Sequence, residues 1–177
     1  AAASGAVAGL CPSTEANLGD GIFDAPAWQT AGGVWGLGSD SHVCVNAAEE
    51  LMLLEYSQRL ATRRRNVMAT PGQPQVADAM TLAAVAGGAR AAGRPVAGLA
   101  VGQQADLVEL DAAHPALAGL PAGQMLASHV FASHRGSALV GVRTAGRVRV
   151  TQGRHAEHHS AAAGLVAARG RLLQETR

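Results

Sequence analysis

Net charge is nearly absent from this sequence. Its 14 Lys and Arg offset 13 Asp and Glu, for a formal charge of +1, which gives no electrostatic reason to expect a nucleic acid or an anionic membrane as partner. Cysteine is as scarce. Cys11 and Cys44 stand far apart and outside any C-x-x-C spacing, which argues against a disulfide framework or zinc knuckle and for a reducing, cytoplasmic setting. No apolar run approaches the ~18 residues of a membrane span, and no signal-peptide pattern opens the chain. There is no H-x-H pair, no G-x-S-x-G elbow and no repeat at a solenoid period. Aromatics at 3% beside abundant Ala and Gly reflect a high-GC source rather than low complexity.

The sequence is rich instead in apolar residues. With 48% hydrophobic and 15% charged residues, a chain of this length buries a substantial core as one globular domain or two small ones. Ala6 to Leu10 reads as a buried strand closed by Cys11-Pro12, since proline cannot donate to a ladder. A polar loop comes next over residues 13–21, then Asp24-Ala25-Pro26 as a helix cap with proline in the first turn, and a stop at Gly32-Gly33. Val34 to Gly38 is a second apolar run. Two strand, loop, helix units in succession argue for a parallel α/β architecture. Asn46 with Glu49 resembles a capping box opening a helix, on which Leu51, Leu54 and Leu60 recur at helical spacing; it ends at Arg63 to Arg65, where cations complement the dipole. Asp78 to Ala92 is a further helix, after a loop from Thr70 to Pro74. Beyond Gly93 the texture turns to β, with alternation over 105–110, 138–142 and 148–150 and a turn at Thr144-Ala145-Gly146. A terminal helix is expected over His158 to Gln174, although Gly164 and Gly170 oppose it.

The stretch Gly36-Leu-Gly-Ser-Asp-Ser-His42 gathers an acid, two hydroxyls and an imidazole at the end of the second strand. Ligands of parallel sheets collect at the carboxyl ends of the strands, so Asp40 stands where it can ligate a metal or act as a general base. The same residue types also cap helices, and the local pattern leaves both roles open. A catalytic triad is disfavoured, because successive side chains in extended chain diverge.

Two motifs in order then resemble the amidohydrolase superfamily. Gly36 to His42 is similar to the end of its eighth barrel strand, where a G-(T/S)-D segment supplies a metal-binding aspartate. Gly98-Leu-Ala-Val-Gly-Gln-Gln-Ala-Asp-Leu-Val-Glu-Leu-Asp111 resembles its return to a small β-sandwich. Within the superfamily, Cys11-Pro-Ser-Thr-Glu-Ala-Asn-Leu-Gly-Asp-Gly-Ile-Phe23, Gly38-Ser-Asp-Ser-His-Val43, Glu49-Glu-Leu51, Leu54-Glu-Tyr-Ser-Gln-Arg-Leu60 and Arg63-Arg-Arg-Asn-Val67 resemble the formimidoylglutamate deiminase branch. Thr14-Glu15 stands where heterocycle-directed relatives tend to carry Ser-Asn.

The resemblance implies an α/β fold: the C-terminal part of a metal-dependent-hydrolase (β/α)8 TIM barrel, its last two βα units, plus part of a small β-sandwich domain. The expected division is 1–93 for the barrel portion with its last helices, 94–154 for the sandwich portion and 155–177 for a C-terminal helix. A complete barrel takes about 250 residues, and the chain opens Ala1-Ala2-Ala3-Ser4-Gly5 without an initiator Met, so a fragment of a longer enzyme is expected, inactive alone. The implied activity is zinc-dependent hydrolysis of the formimidoyl C–N bond of N-formimidoyl-L-glutamate, giving N-formyl-L-glutamate and ammonia, a step of histidine degradation. Asp40 carries over as metal ligand and proton acceptor; Ser39, Ser41, His42, Glu15 and Asn17 are candidate pocket or supporting residues. The implied cofactor is one divalent metal, zinc, with an incomplete ligand set here. The implied partner is a small-molecule substrate, and a homodimer stays open. Other readings are a deaminase or chlorohydrolase acting on a heterocycle, and a non-catalytic remnant. Arg63 to Arg65 and the cluster His155, His158 and His159 read as solvated surface, and Cys44 as a small buried side chain.

Overall fold

The computed structural model describes residues 1–96, 98–133 and 137–175. It divides into two units, Ala1–Gln104 with Ala112–Ala138, and Ala105–Asp111 with Leu139–Arg177; residues 176–177, the end of the expected 155–177 segment, lie outside the described part.

In the first unit, strands β1 (Val7–Leu10) and β2 (Val34–Leu37) pair in parallel, from Val7 with Val34 to Leu10 with Leu37. Parallel neighbours need a crossover, and here it carries α1 (Pro12–Leu18) and α2 (Ala25–Thr30). The expected loop over 13–21 is therefore largely helix. Pro12 occupies the first helical position, Glu15 reaches back to accept the Cys11 amide at 2.7 Å, and Gly19 closes the helix at φ 76°. Proline is pre-organised for a first turn and glycine for the left-handed exit, so the two residues that read as stop signals around the segment are its helix-delimiting residues. Asp24 caps α2 as expected, its carboxylate accepting the Ala27 amide at 3.0 Å.

Helix α3 (Ala47–Thr62) opens on Asn46, whose side chain accepts the Ala48 and Glu49 amides. The reciprocal half of the capping box does not form: the Glu49 carboxylate accepts instead from the Cys44 thiol at 3.1 Å. Leu51 and Leu54 enter the core, whereas Leu60 is exposed. The helix ends at Arg63, left-handed at φ 55°. Helix α4 (Val76–Ala92) starts two residues earlier than expected and stops at Gly93. It approaches β2 so closely that Gly87 lies against the main chain of Trp35.

Among the described residues between Gly93 and Leu139 the structure is not all β. Helix α5 (Ala122–Ala132) begins after Pro121 and packs on α3 and α4, burying Val130 and stacking Phe131 on Tyr56 at 5.8 Å. Its Leu126 and Val130, four apart, are the helical signal within a segment that lacks a capping side chain. The core joins Leu10, Trp35, Leu51, Leu54, Met68, Val76, Met80 and Val130. Beside it Glu55 is fully buried, accepting from Arg59 Nε at 2.7 Å and from the Val67 and Met68 amides at 3.0 Å. A buried carboxylate is tolerated when it is charge-paired and hydrogen-bonded in this way. The Arg59 guanidinium lies 5.1 Å and 5.4 Å from the centres of the Tyr56 and Phe131 rings.

The second unit is an antiparallel meander of β3 (Leu107–Leu110), β4 (Leu139–Thr144), β5 (Arg147–Thr151) and β6 (Arg154–His155), in that spatial order. Its two tight hairpins turn on Ala145-Gly146 and Gln152-Gly153, all four residues at positive φ, as two-residue turns matched to strand twist require. Asp106 holds the first, accepting the Ala145 amide at 2.6 Å. Helix α6 (His158–Glu175) comes last and is exposed along nearly its whole length, including Leu165, Val166, Leu172 and Leu173. His155, His158 and His159 are exposed. No described helix is long and apolar enough to cross a membrane.

Candidate functional site

The two parallel strands end side by side: the Gly38 amide donates to the Leu10 carbonyl at 2.9 Å, just beyond the last strand pair. This alignment brings together the segments that leave the strands, α1 from β1 and Ser39 to His42 from β2. Ser39-Asp40-Ser41-His42 is a tight turn in which the His42 amide donates to the Ser39 carbonyl at 3.0 Å. Asp40 is exposed and sits at φ 46°, a conformation that costs a non-glycine residue ~1 kcal/mol.

Something must hold that turn, and the holder is Thr14, which the sequence marks through the Thr14-Glu15 pair of the family resemblance but not for this role. Thr14 is buried; its hydroxyl donates to the Ser39 carbonyl at 2.7 Å and accepts the His42 amide at 3.1 Å. One hydroxyl thus bridges both ends of the turn that carries Asp40. Thr14 is itself fixed through Ser13, whose amide donates to Glu50 Oε2 at 2.9 Å and whose hydroxyl donates to Glu50 Oε1. Glu50, buried at the start of α3, spends both oxygens on α1. Locally, the sequence offers a Ser-Thr pair immediately after a helix-starting proline.

The other candidates divide. Ser39, Ser41 and His42 share the turn with Asp40. His42 Nδ1 accepts the Cys44 amide at 3.1 Å, which leaves Nε2 to carry the proton of the neutral ring. Glu15 caps α1 and also lines a groove of about 260 Å³ with Pro12, Ala16, Ile22, Phe23 and Leu53, which Asp40 does not reach. Asn17 is exposed on the last turn of α1. Between the strand ends lies Cys11, whose thiol pKa is pushed up by burial first, and then by the negative charges of Asp40, Glu15 and Glu50, against a lowering hydrogen bond with the Gly38 backbone. Cys11 therefore remains a neutral thiol near neutral pH. Among the described residues no group of three or more His, Cys, Asp and Glu side chains could hold a metal ion.

No protein-family model matches the chain. It is 49% identical over 173 residues to the formimidoylglutamate deiminase of Pseudomonas aeruginosa, covering 97% of this chain and 38% of that protein. A crystal structure of an amidohydrolase from Brucella melitensis superposes with a TM-score of 0.89 at 42% identity, again over 97% of this chain and 37% of that one. The chain belongs to the amidohydrolase superfamily. An adenosine deaminase from Xanthomonas campestris with bound zinc shares the fold at a TM-score of 0.76 and 22% identity, over 97% of this chain and 38% of that one. The chain thus spans under two-fifths of the length of the amidohydrolases it matches.

Proposed function

We propose that this chain is the C-terminal portion of a formimidoylglutamate deiminase, contributing the last two βα units of a (β/α)8 barrel and part of a small β-sandwich. The reading rests on the 49% identity to the Pseudomonas aeruginosa enzyme across nearly the whole chain. The reaction is hydrolysis of the formimidoyl C–N bond of N-formimidoyl-L-glutamate, releasing N-formyl-L-glutamate and ammonia. In this portion Asp40 supplies one metal-binding carboxylate at the carboxyl end of β2, where barrel enzymes place their chemistry.

A single carboxylate fits as one donor of a divalent-metal site and not as a site. The remaining ligands come from the rest of the enzyme. A bound zinc ion supplies Lewis-acid activation of water and substrate. The part played by this chain's residues is to hold the Asp40 carboxylate in place and to let it accept a proton from the attacking water. His42, two residues along the same turn, stands beside the same site.

The test is ammonia release by the complete enzyme containing this segment, offered N-formimidoyl-L-glutamate, guanine and aminopyrimidines in parallel, with bound metal quantified. Turnover confined to N-formimidoyl-L-glutamate, and lost together with metal affinity in Asp40→Ala, is the expected result. Ammonia released only from guanine or an aminopyrimidine would move the chain to the heterocycle deaminases of the superfamily, and none from any of them to a chlorohydrolase or a non-catalytic role.

A further inference from the structure

Resting on the reading of Asp40 as a metal ligand, we propose that Thr14 is the positioning residue for that ligand: its hydroxyl clamps the turn from which the Asp40 carboxylate projects. Three observations lead there. Asp40 adopts φ 46°, on the left-handed side, which carries a cost for L-residues even though Asp enters it more readily than most. The turn's own hydrogen bond, His42 amide to Ser39 carbonyl, is shared with Thr14, whose hydroxyl bonds to both groups. And Thr14 is anchored from behind, because Ser13 beside it is held through two hydrogen bonds by the buried Glu50 of α3.

The clamp matters because a ligand carboxylate has little positional latitude. Metal sites tolerate deviations of ~0.2 Å in ligand distance and ~0.5 Å in overall placement. Released from Thr14, a turn held by one backbone hydrogen bond can relax to negative φ, swinging the Asp40 side chain away from its strand-end position. The cost then falls on metal affinity and on turnover, with substrate affinity untouched.

The experiment uses the complete enzyme with zinc as the probe. Thr14→Val keeps the volume and removes the hydroxyl; Thr14→Ser keeps the hydroxyl and removes a methyl. Zinc affinity is measured by chelator competition, kcat and KM are measured separately, and thermal unfolding confirms the fold. Thr14→Val is expected to weaken zinc binding and kcat by ~10-fold or more, as loss of a supporting contact does, with KM within about 2-fold, while Thr14→Ser restores both. Parent-like zinc affinity and kcat in Thr14→Val, or an equal loss in Thr14→Ser, overturns the proposal. Should Thr14→Val fail to fold, Thr14→Cys, a weaker hydrogen-bonding group of similar size, is expected to show the same zinc loss, and parent-like affinity there overturns it. Asp40→Asn separates the two claims: full zinc affinity in that variant defeats the metal-ligand reading itself, whatever Thr14 does.

Discussion

Adjacent glycines on α4 should respond to the same substitution with opposite signs. A Cβ on Gly87 would lie 1.8 Å from the Trp35 carbonyl oxygen and 2.4 Å from its carbon, both main-chain atoms of β2 that no rotamer change can remove. Relief requires the helix to retreat from the strand by more than ~1 Å, since carbon contacts sit near ~3.5 Å. Overpacking of that kind costs ~3 kcal/mol, against which the helix gains ~1 kcal/mol from losing a glycine. Gly87→Ala should therefore destabilise by a net ~2 kcal/mol. A Cβ on Gly88 meets nothing within 4 Å, so Gly88→Ala keeps the propensity gain and should stabilise by up to ~1 kcal/mol. Urea unfolding followed by circular dichroism reads both. Equal effects of the two substitutions, or a neutral Gly87→Ala, would refute the close approach of α4 to β2.

Removing the buried acceptor in Glu55→Ala leaves the Val67 and Met68 amides and Arg59 without their partner and should cost ~3–5 kcal/mol, while a loss under ~1 kcal/mol would show the carboxylate to be dispensable. The 177-residue chain on its own should neither retain zinc through gel filtration nor release ammonia from N-formimidoyl-L-glutamate, because its described residues hold no three-donor cluster; measurable turnover would contradict this. Burial first, and the charge of His114 second, hold the His129 imidazole below the ordinary histidine range, and its Nδ1 is buried without a hydrogen-bond partner. Its folded state takes up a proton less readily than the unfolded chain, so stability should fall as pH drops below ~6.5, where an unfolded histidine begins to charge. His129→Gln should flatten that part of the pH profile, and an unchanged slope would assign it to other groups.

Legibility in the sequence tracks the range of the forces involved. Helices α2, α3 and α4 are visible because their ends are local: Asp24 and Asn46 cap from within a few residues, and Gly93 stops α4. Asp40 stands out as a candidate because strand ends are where parallel sheets place chemistry. Helix α1 is hidden by an ambiguity of proline, which ends a strand and starts a helix with equal ease, and here does both at Cys11-Pro12. Helix α5 is hidden because its stability comes from packing on α3 and α4 rather than from a cap. The clamping role of Thr14 cannot be read from its neighbours: its partners lie 25 and 28 residues further along. The pairing of Ser13 with Glu50 spans 37 residues and is as silent locally.

Those spans also set an order of events in folding. The hairpins at Ala145-Gly146 and Gln152-Gly153 close between strand partners Thr144 and Arg147, and Thr151 and Arg154, whereas the Asp40 turn is clamped across 25 and 28 residues and anchored through Glu50 across 37. Long loops cost more entropy to close and are closed later. On loop length, the strand end carrying Asp40 is expected to reach its working conformation after the two hairpins have closed, and a chain caught with its hairpins formed would still have its carboxylate free to point the wrong way.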